Sequence, residues 1–153
     1  MSTEKEIESI YNSILTKKMY RVLGRRITFM DVLEKEGRKI LGTKFRGVFP
    51  SDKIPKLNDI TPYAILNLDR SGLPGSHWIA IAKVKGKPET LVYDSFGRTA
   101  KSIIPSVLTS RNGRVINTDP DAEQDIKQDD CGARSMAFLV FIDKYGAEKA
   151  KEI

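Results

Sequence analysis

The sequence predicts an α+β domain in which a central, mostly antiparallel sheet is flanked by helices. Short apolar runs of strand type are concentrated between residues 63 and 94, with one more over 114–118. Apolar residues at helical spacing lie near the two ends instead, over residues 3–18 and from Ala133 onward. Strands grouped in the middle and helices at the ends are typical of α+β proteins.

Two helices are predicted before the sheet. The first covers residues 3–18, where one stripe of the helix is apolar and the rest is charged. The second begins near Thr28, which forms a pattern resembling a capping box with Asp31, and ends at Gly42. Glycines and prolines predict an irregular segment over 43–62, whose apolar residues either anchor in the core or line a substrate groove.

The middle of the chain has the pattern of strands joined by turns. The second and third strands are separated by a Lys-Gly-Lys-Pro turn over 85–88, which predicts an antiparallel hairpin. A helix is expected over about 100–108. The predicted strands cover residues 63–68, 77–84, 90–94 and 114–118.

Length and composition indicate one folded domain over residues 1–153. With 40% hydrophobic and 30% charged residues, the chain has the composition of a globular protein. It contains no apolar run of about 18 residues and no signal-peptide pattern, so we expect an intracellular protein without a membrane span. One cysteine and one histidine leave no intramolecular disulfide and no Cys/His zinc site, and we expect neither a metal nor a cofactor.

Cys131 begins the last predicted helix, directly after a polar loop. Asp129 and Asp130 are good N-cap residues, so Cys131 falls in the first turn, where the positive end of the helix favours an anion. The sequence therefore predicts that the pKa of the Cys131 thiol is lowered, which would make it a usable nucleophile. The alternative is that Cys131 is an ordinary small buried residue.

His77 and Asp94 are the candidate partners of this cysteine. Because the chain has one histidine, a Cys/His nucleophilic pair can only combine Cys131 with His77. His77 begins one predicted strand and Asp94 ends the next, so antiparallel pairing would bring the two side chains together. Asp94 could then fix the tautomer of the imidazole and stabilise its charged form. Otherwise the two residues form a structural hydrogen bond and a turn.

Gln124 is the candidate donor to a developing negative charge. Its amide N–H could stabilise the oxyanion of a cleaved carbonyl, together with the backbone N–H of Cys131. Gln128 is the rival for this role, and a loop glutamine is otherwise simply solvated. These residues together supply the groups of an acyl-transfer site.

The order of these motifs resembles the adenain-type cysteine peptidases of DNA viruses, which are relatives of the SUMO-processing peptidases. The resemblance covers about residues 60 to 145. It is carried by His77-Trp78, Val92-Tyr93-Asp94-Ser95-Phe96-Gly97, Gln124 and Asp130-Cys131-Gly132.

The resemblance implies a papain-like cysteine peptidase fold with the nucleophile at a helix N-terminus. Carried over to this sequence, it makes Cys131 the nucleophile, His77 the general base and acid, and Asp94 the orienting acid. It also favours Gln124 over Gln128 as the oxyanion donor, because Gln124 lies seven residues before Cys131 and this spacing suits the family pattern.

The function implied by the resemblance is cleavage at Gly-containing, Gly-Gly-Xaa-like sites to mature capsid or core proteins of a DNA virus or related mobile element. We expect a monomer acting in the virion and in the host-cell cytoplasm or virus factory. Some relatives are activated by a peptide joined through a second cysteine, which this chain lacks. Two alternatives remain open: a peptidase that removes a ubiquitin-like modifier, and a non-catalytic basic module that binds nucleic acid in the virion.

The net charge of +6 suggests an anionic partner. The basic residues are spread along the chain, apart from one small cluster. That cluster predicts either a solvated surface or weak, non-specific DNA binding through phosphate contacts. It consists of Lys17, Lys18, Arg21, Arg25 and Arg26.

Overall fold

The protein has helices on one face of a five-stranded sheet, as seen in a computed structural model that describes residues 3–26, 29–67, 77–95, 112–118 and 130–153. This confirms the α+β class. The helices are α1 (Glu4–Ile14), α2 (Tyr20–Leu23), α3 (Met30–Leu41), α4 (Cys131–Tyr145) and α5 (Ala147–Ala150), and the strands are β1 (Phe45–Pro50), β2 (Tyr63–Asn67), β3 (Trp78–Lys83), β4 (Glu89–Tyr93) and β5 (Arg114–Asn117).

The sheet is mixed, with strand order β1-β2-β3-β4-β5. Strand β3 pairs antiparallel with β2 on one side and with β4 on the other. The two outer strands are parallel to their neighbours, β1 to β2 and β5 to β4. The prediction of a mostly antiparallel sheet therefore holds for its centre and is wrong for both edges.

Both faces of the three central strands, β2, β3 and β4, are buried. Apolar side chains on one face, such as Ile65 and Ala80, pack with α1 and α4 in the larger core. The alternating residues, such as Leu66 and Ile79, point to the other face and pack with Ile54 from the segment between β1 and β2. The period-two alternation of a strand thus feeds two cores, which is why these strands are apolar throughout.

The N-terminal helix is longer than the sequence predicts. Helix α1 continues through a π-helical segment, Leu15–Met19, into α2, so the helical chain ends at Leu23 and not near residue 18. Helix α3 begins at Met30, with Phe29 in the N-cap position and no side-chain cap bond. The capping box predicted at Thr28 falls on a residue outside the described part of the chain.

The segment 43–62 is only partly irregular. It contains strand β1, which was not predicted because glycines and prolines are typical of irregular segments. Further on, Ile54 and Leu57 are buried in the second core, so these two anchor the segment. Asn112 ties the segment to β5, because its side chain accepts from the N–H of Leu57 at 2.9 Å and donates to the carbonyl of Pro55 at 3.0 Å. The helix predicted over 100–108 lies outside the described residues.

Gly37 explains how α3 packs against the sheet. A Cβ at this position would lie 2.5 Å from the ring of Phe45, which is 1% exposed. Overpacking in Gly37→Ala is therefore expected to lower the free energy of unfolding by about 2–3 kcal/mol. This exceeds the roughly 1 kcal/mol by which the higher helix propensity of alanine raises it.

The measurement is the free energy of unfolding in urea, which we expect to fall by about 1–2 kcal/mol in Gly37→Ala, the balance of those two effects. Lys35→Ala, at an exposed position of the same helix, is the control and should change it by less than about 0.5 kcal/mol. Equal stability of Gly37→Ala and the parent would show that the Phe45 ring can move aside.

Candidate active site

His77 and Asp94 lie at one end of the β3–β4 hairpin. His77 immediately precedes β3 and Asp94 immediately follows β4, so the antiparallel pairing brings them to the same edge of the sheet. The Nε2 atom of His77 lies 2.7 Å from Oδ1 of Asp94, and the two side chains are 7% and 0% exposed. The predicted meeting of these side chains is confirmed.

This contact determines which imidazole nitrogen can act on a substrate. A carboxylate only accepts hydrogen bonds, so Nε2 carries a proton and donates it to Asp94. The proton on Nε2 fixes the ring orientation and leaves Nδ1 to exchange a proton with a neighbouring group.

Cys131 is the first residue of α4, as predicted, and is 5% exposed. Its Sγ accepts a hydrogen bond from the backbone N–H of Trp78 at 3.4 Å. Because Trp78 follows His77 in the chain, this bond brings the thiol beside the strand end that carries the imidazole. The structure therefore groups Cys131, His77 and Asp94 in one region of the fold.

Ser135 provides a second attachment between α4 and β3. Its Oγ donates to the carbonyl of Trp78 at 3.2 Å, one helical turn beyond Cys131. The N–H and the C=O of Trp78 thus both bond to side chains of α4. Residues four apart lie on the same face of a helix, so the two bonds together fix the distance and the rotation of α4 relative to β3.

The thiol of Cys131 does not have the lowered pKa that its helix position predicts. Burial raises the pKa of Cys131, which outweighs the lowering by hydrogen bonds from the N–H groups of Trp78 and Gly132. The nearby carboxylate of Asp130 raises it further. The prediction is wrong because desolvation of the charged thiolate, a tertiary effect, exceeds the local effect of the helix end.

The raised pKa has a measurable consequence in alkylation by iodoacetamide. Because only the thiolate reacts, the rate for Cys131 should be lower at pH 7 than for an ordinary thiol and should still rise above pH of about 8.5. The rate constant as a function of pH is measured by mass spectrometry. The urea-unfolded chain is the control and should follow an ordinary thiol; a plateau near pH 7 in the folded protein would contradict the assignment.

Asp130 occupies the N-cap position of α4 but makes no side-chain cap bond. Its Oδ2 instead accepts hydrogen bonds from the hydroxyl of Tyr20 and from Nε of Arg134, the latter at 3.0 Å. Asp130 therefore takes the predicted N-cap position, but its side chain does not cap the helix, because Tyr20 and Arg134 bind its carboxylate instead. Asp129 lies outside the described residues.

The N-terminal helix reaches the same region from another side. The hydroxyl of Tyr11 in α1 is hydrogen-bonded to the hydroxyl of Tyr93, the residue before Asp94. The Tyr93 ring stacks on Phe138 of α4, with ring centroids 4.8 Å apart. Both strand ends that carry the candidate residues are thus held by helices.

Sequence reasoning missed the supporting residues Ser135, Arg134 and Tyr20. Two of them had a signal: Ser135 lies four residues after Cys131, and Arg134 is a charged residue within the mostly apolar stretch 131–142. Tyr20 had none, because its partner Asp130 is 110 residues away in the chain.

Gln124 and Gln128 lie outside the described residues, so their assignment as oxyanion donors stays a prediction. In the part of the chain that the structure describes, no group of three or more His, Cys, Asp or Glu side chains could hold a metal ion. The same part contains no helix that is long and apolar enough to cross a membrane. All five side chains of the basic cluster are exposed, and the Arg25 guanidinium lies 4.6 Å from the centre of the Tyr20 ring.

The sequence matches no model of a known protein family, and no curated protein matches it.

Proposed function

We propose that the chain is a cysteine endopeptidase with a papain-like fold. The observation that carries this proposal is the buried His77–Asp94 pair, with Nε2 to Oδ1 at 2.7 Å, beside a thiol at the start of a buried helix. A nucleophile, a base and a group that orients the base are the minimum set for acyl transfer through a covalent intermediate. The motif resemblance to adenain-type peptidases supports the same assignment.

In the proposed reaction Cys131 is a neutral thiol at rest, because burial raises its pKa. His77 accepts the thiol proton at Nδ1 while Sγ attacks the carbonyl carbon of the scissile peptide bond. The tetrahedral intermediate collapses to a thioester, and the imidazolium returns the proton to the leaving amine. Water, deprotonated by His77, then hydrolyses the thioester and restores the thiol.

The developing oxyanion needs hydrogen-bond donors. The first N–H groups of α4 have no partner within the helix and point out of its N-terminus. We propose that the backbone N–H of Cys131 is one donor and that the side-chain amide of Gln124 is the other. Losing one such donor typically lowers turnover by about 10²–10³-fold.

The substrate class rests on the resemblance. We propose cleavage of Gly-Gly-Xaa-like sites in capsid or core precursors of a DNA virus or related mobile element, by a monomer that acts in the virion and in the infected cell. A peptidase that removes a ubiquitin-like modifier would use the same residues. Weak DNA binding through the basic cluster is compatible with the exposure of its side chains.

The direct test is incubation with a library of Gly-Gly-Xaa peptides, followed by mass spectrometry of the products. The proposal expects cleavage at one class of site by the parent protein and none by Cys131→Ala. If the parent cleaves neither the library nor a ubiquitin-like fusion, the peptidase proposal fails, and the second alternative, a non-catalytic nucleic-acid-binding module, is favoured.

A further inference from the structure

Asp130 is a good N-cap residue whose carboxylate is not used as a cap. Its backbone has φ −96° and ψ 21°, away from the extended conformation of an N-cap, and its side chain makes no bond to the helix. The residue is 4% exposed. This buried carboxylate, one residue before the candidate nucleophile, is therefore not used to cap the N-terminus of the helix.

The carboxylate is held on one of its two oxygens. Oδ2 accepts from the Tyr20 hydroxyl and from Arg134 Nε. Oδ1 is buried and has no hydrogen-bond partner among the described residues. A buried carboxylate oxygen without a donor is costly, so Asp130 would gain by turning towards the N–H groups of α4 if it were released.

The Tyr20 side chain is held in place at the Asp130 carboxylate by a second contact. Its ring is covered by the Arg25 guanidinium, 4.6 Å from the ring centre. Burial and the hydrogen bond to Asp130 both raise the pKa of Tyr20, so its hydroxyl remains a donor. Arg134 approaches from within α4, four residues after Asp130, and is 9% exposed.

We infer, on the basis of the proposed function, that Tyr20 and Arg134 are positioning residues that hold the Asp130 carboxylate away from the first amides of α4. Those amides then remain available to the Cys131 sulfur and to the oxyanion. If Asp130 capped the helix, its charge would occupy the same N–H groups and would lie closer to the thiol. The N-terminal helix is thereby assigned a part in the reaction, although the motif resemblance does not extend to it.

The charges around the thiol are consistent with this role. Asp130 is the N-cap residue of α4, and Arg134 lies in its first turn. His77 immediately precedes β3 and Asp94 immediately follows β4. The Tyr20 and Tyr11 hydroxyls come from the N-terminal helices. In this set Asp130 is the anion next in sequence to Cys131, and Arg134 and Tyr20 are the groups that bind it. Releasing Asp130 would therefore disfavour the thiolate.

The test is Tyr20→Phe, which removes one hydroxyl and keeps the ring. We expect kcat to fall about 10-fold, because the released Asp130 carboxylate would partly occupy an N–H group that donates to the oxyanion. KM should change little, because the substitution does not alter substrate binding. Alkylation of Cys131 at pH 7 should slow severalfold. This second readout needs no peptidase activity, so it still decides the inference if no peptide is cleaved and the proposed function fails.

Tyr63→Phe is the matched control. The Tyr63 hydroxyl donates to Asp143 at 3.0 Å near the other end of α4, and Lys44 contacts the same carboxylate oxygen at 3.0 Å. The chemical change is therefore the same in both variants, but Tyr63→Phe should leave kcat and alkylation unchanged. Equal alkylation rates in Tyr20→Phe, Tyr63→Phe and the parent would overturn the inference.

A double-mutant cycle identifies the group that Tyr20 restrains. If Tyr20 acts through the Asp130 carboxylate, Tyr20→Phe should slow alkylation in the parent and have no effect when Asp130 is replaced by alanine. An equal slowing in both backgrounds would overturn the inference and leave Tyr20 as a packing residue. If Asp130→Ala does not fold, as judged by circular dichroism, Asp130→Asn replaces it. Tyr20→Phe should then slow alkylation less in the Asp130→Asn background than in the parent, which supports the inference. An equal slowing in both backgrounds overturns it.

Discussion

Replacing Cys131 with alanine should reduce peptide cleavage by about 10⁴-fold or more, because loss of a covalent nucleophile removes the pathway through the thioester. The residual rate would come from substrate binding and the oxyanion donors alone. The measurement is the release of a fluorophore from the peptide selected in the library screen. The chain has one cysteine, so no second thiol can substitute.

Cys131→Ser is the companion variant. The Trp78 N–H donates to the sulfur at 3.4 Å, and alanine offers no acceptor, so Cys131→Ala should lose about 1 kcal/mol of stability. Serine keeps an acceptor but is a far poorer nucleophile without its own activating site, so it should be stable and inactive. Cleavage retained in Cys131→Ala, with the fold intact by circular dichroism, would disprove the mechanism.

The centre of the fold was predictable from sequence because its signals are local. The hairpin of β3 and β4 has a turn between two apolar runs, and α4 has an apolar face at helical spacing. At the edges, β5 was predicted as a strand over 114–118, but its parallel pairing and the whole of β1 were not predictable. Strand β1 contains Gly47, at φ 134°, and ends at Pro50, and both residues are typical of loops. The parallel pairing of β1 with β2, like that of β5 with β4, is determined by tertiary contacts and not by a turn.

The candidate site shows the same division between local and tertiary effects. Neighbouring strand ends in a hairpin must meet, so the His77–Asp94 contact followed from the positions of the two residues in the sequence. The thiol pKa did not, because the degree of burial of Cys131 depends on elements from across the chain. The absence of a cap bond from the Asp130 side chain was not predictable for a similar reason, since its partner Tyr20 comes from the opposite end of the sequence.

Asp94→Asn should lower turnover by about 10⁴-fold with a much smaller change in KM, through an effect on the tautomer of His77. An asparagine amide can donate to Nε2, which would move the ring proton to Nδ1 and leave the base unable to accept the thiol proton. The ¹⁵N signals of the imidazole report which nitrogen is protonated. Because the chain has one histidine, the assignment needs no further labelling.

Asp143→Asn provides the comparison for Asp94→Asn. The Asp143 carboxylate also has a side-chain partner, Lys44 at 3.0 Å, but Asp143 lies in α4 near its far end from Cys131, so the variant should keep both the ¹⁵N pattern and the turnover. In Asp94→Asn we expect the protonated nitrogen to change from Nε2 to Nδ1 and activity to be lost. Unchanged ¹⁵N signals together with full turnover would show that the 2.7 Å contact of Asp94 with His77 is structural, since a carboxylate that fixes the tautomer cannot be replaced by an amide without effect.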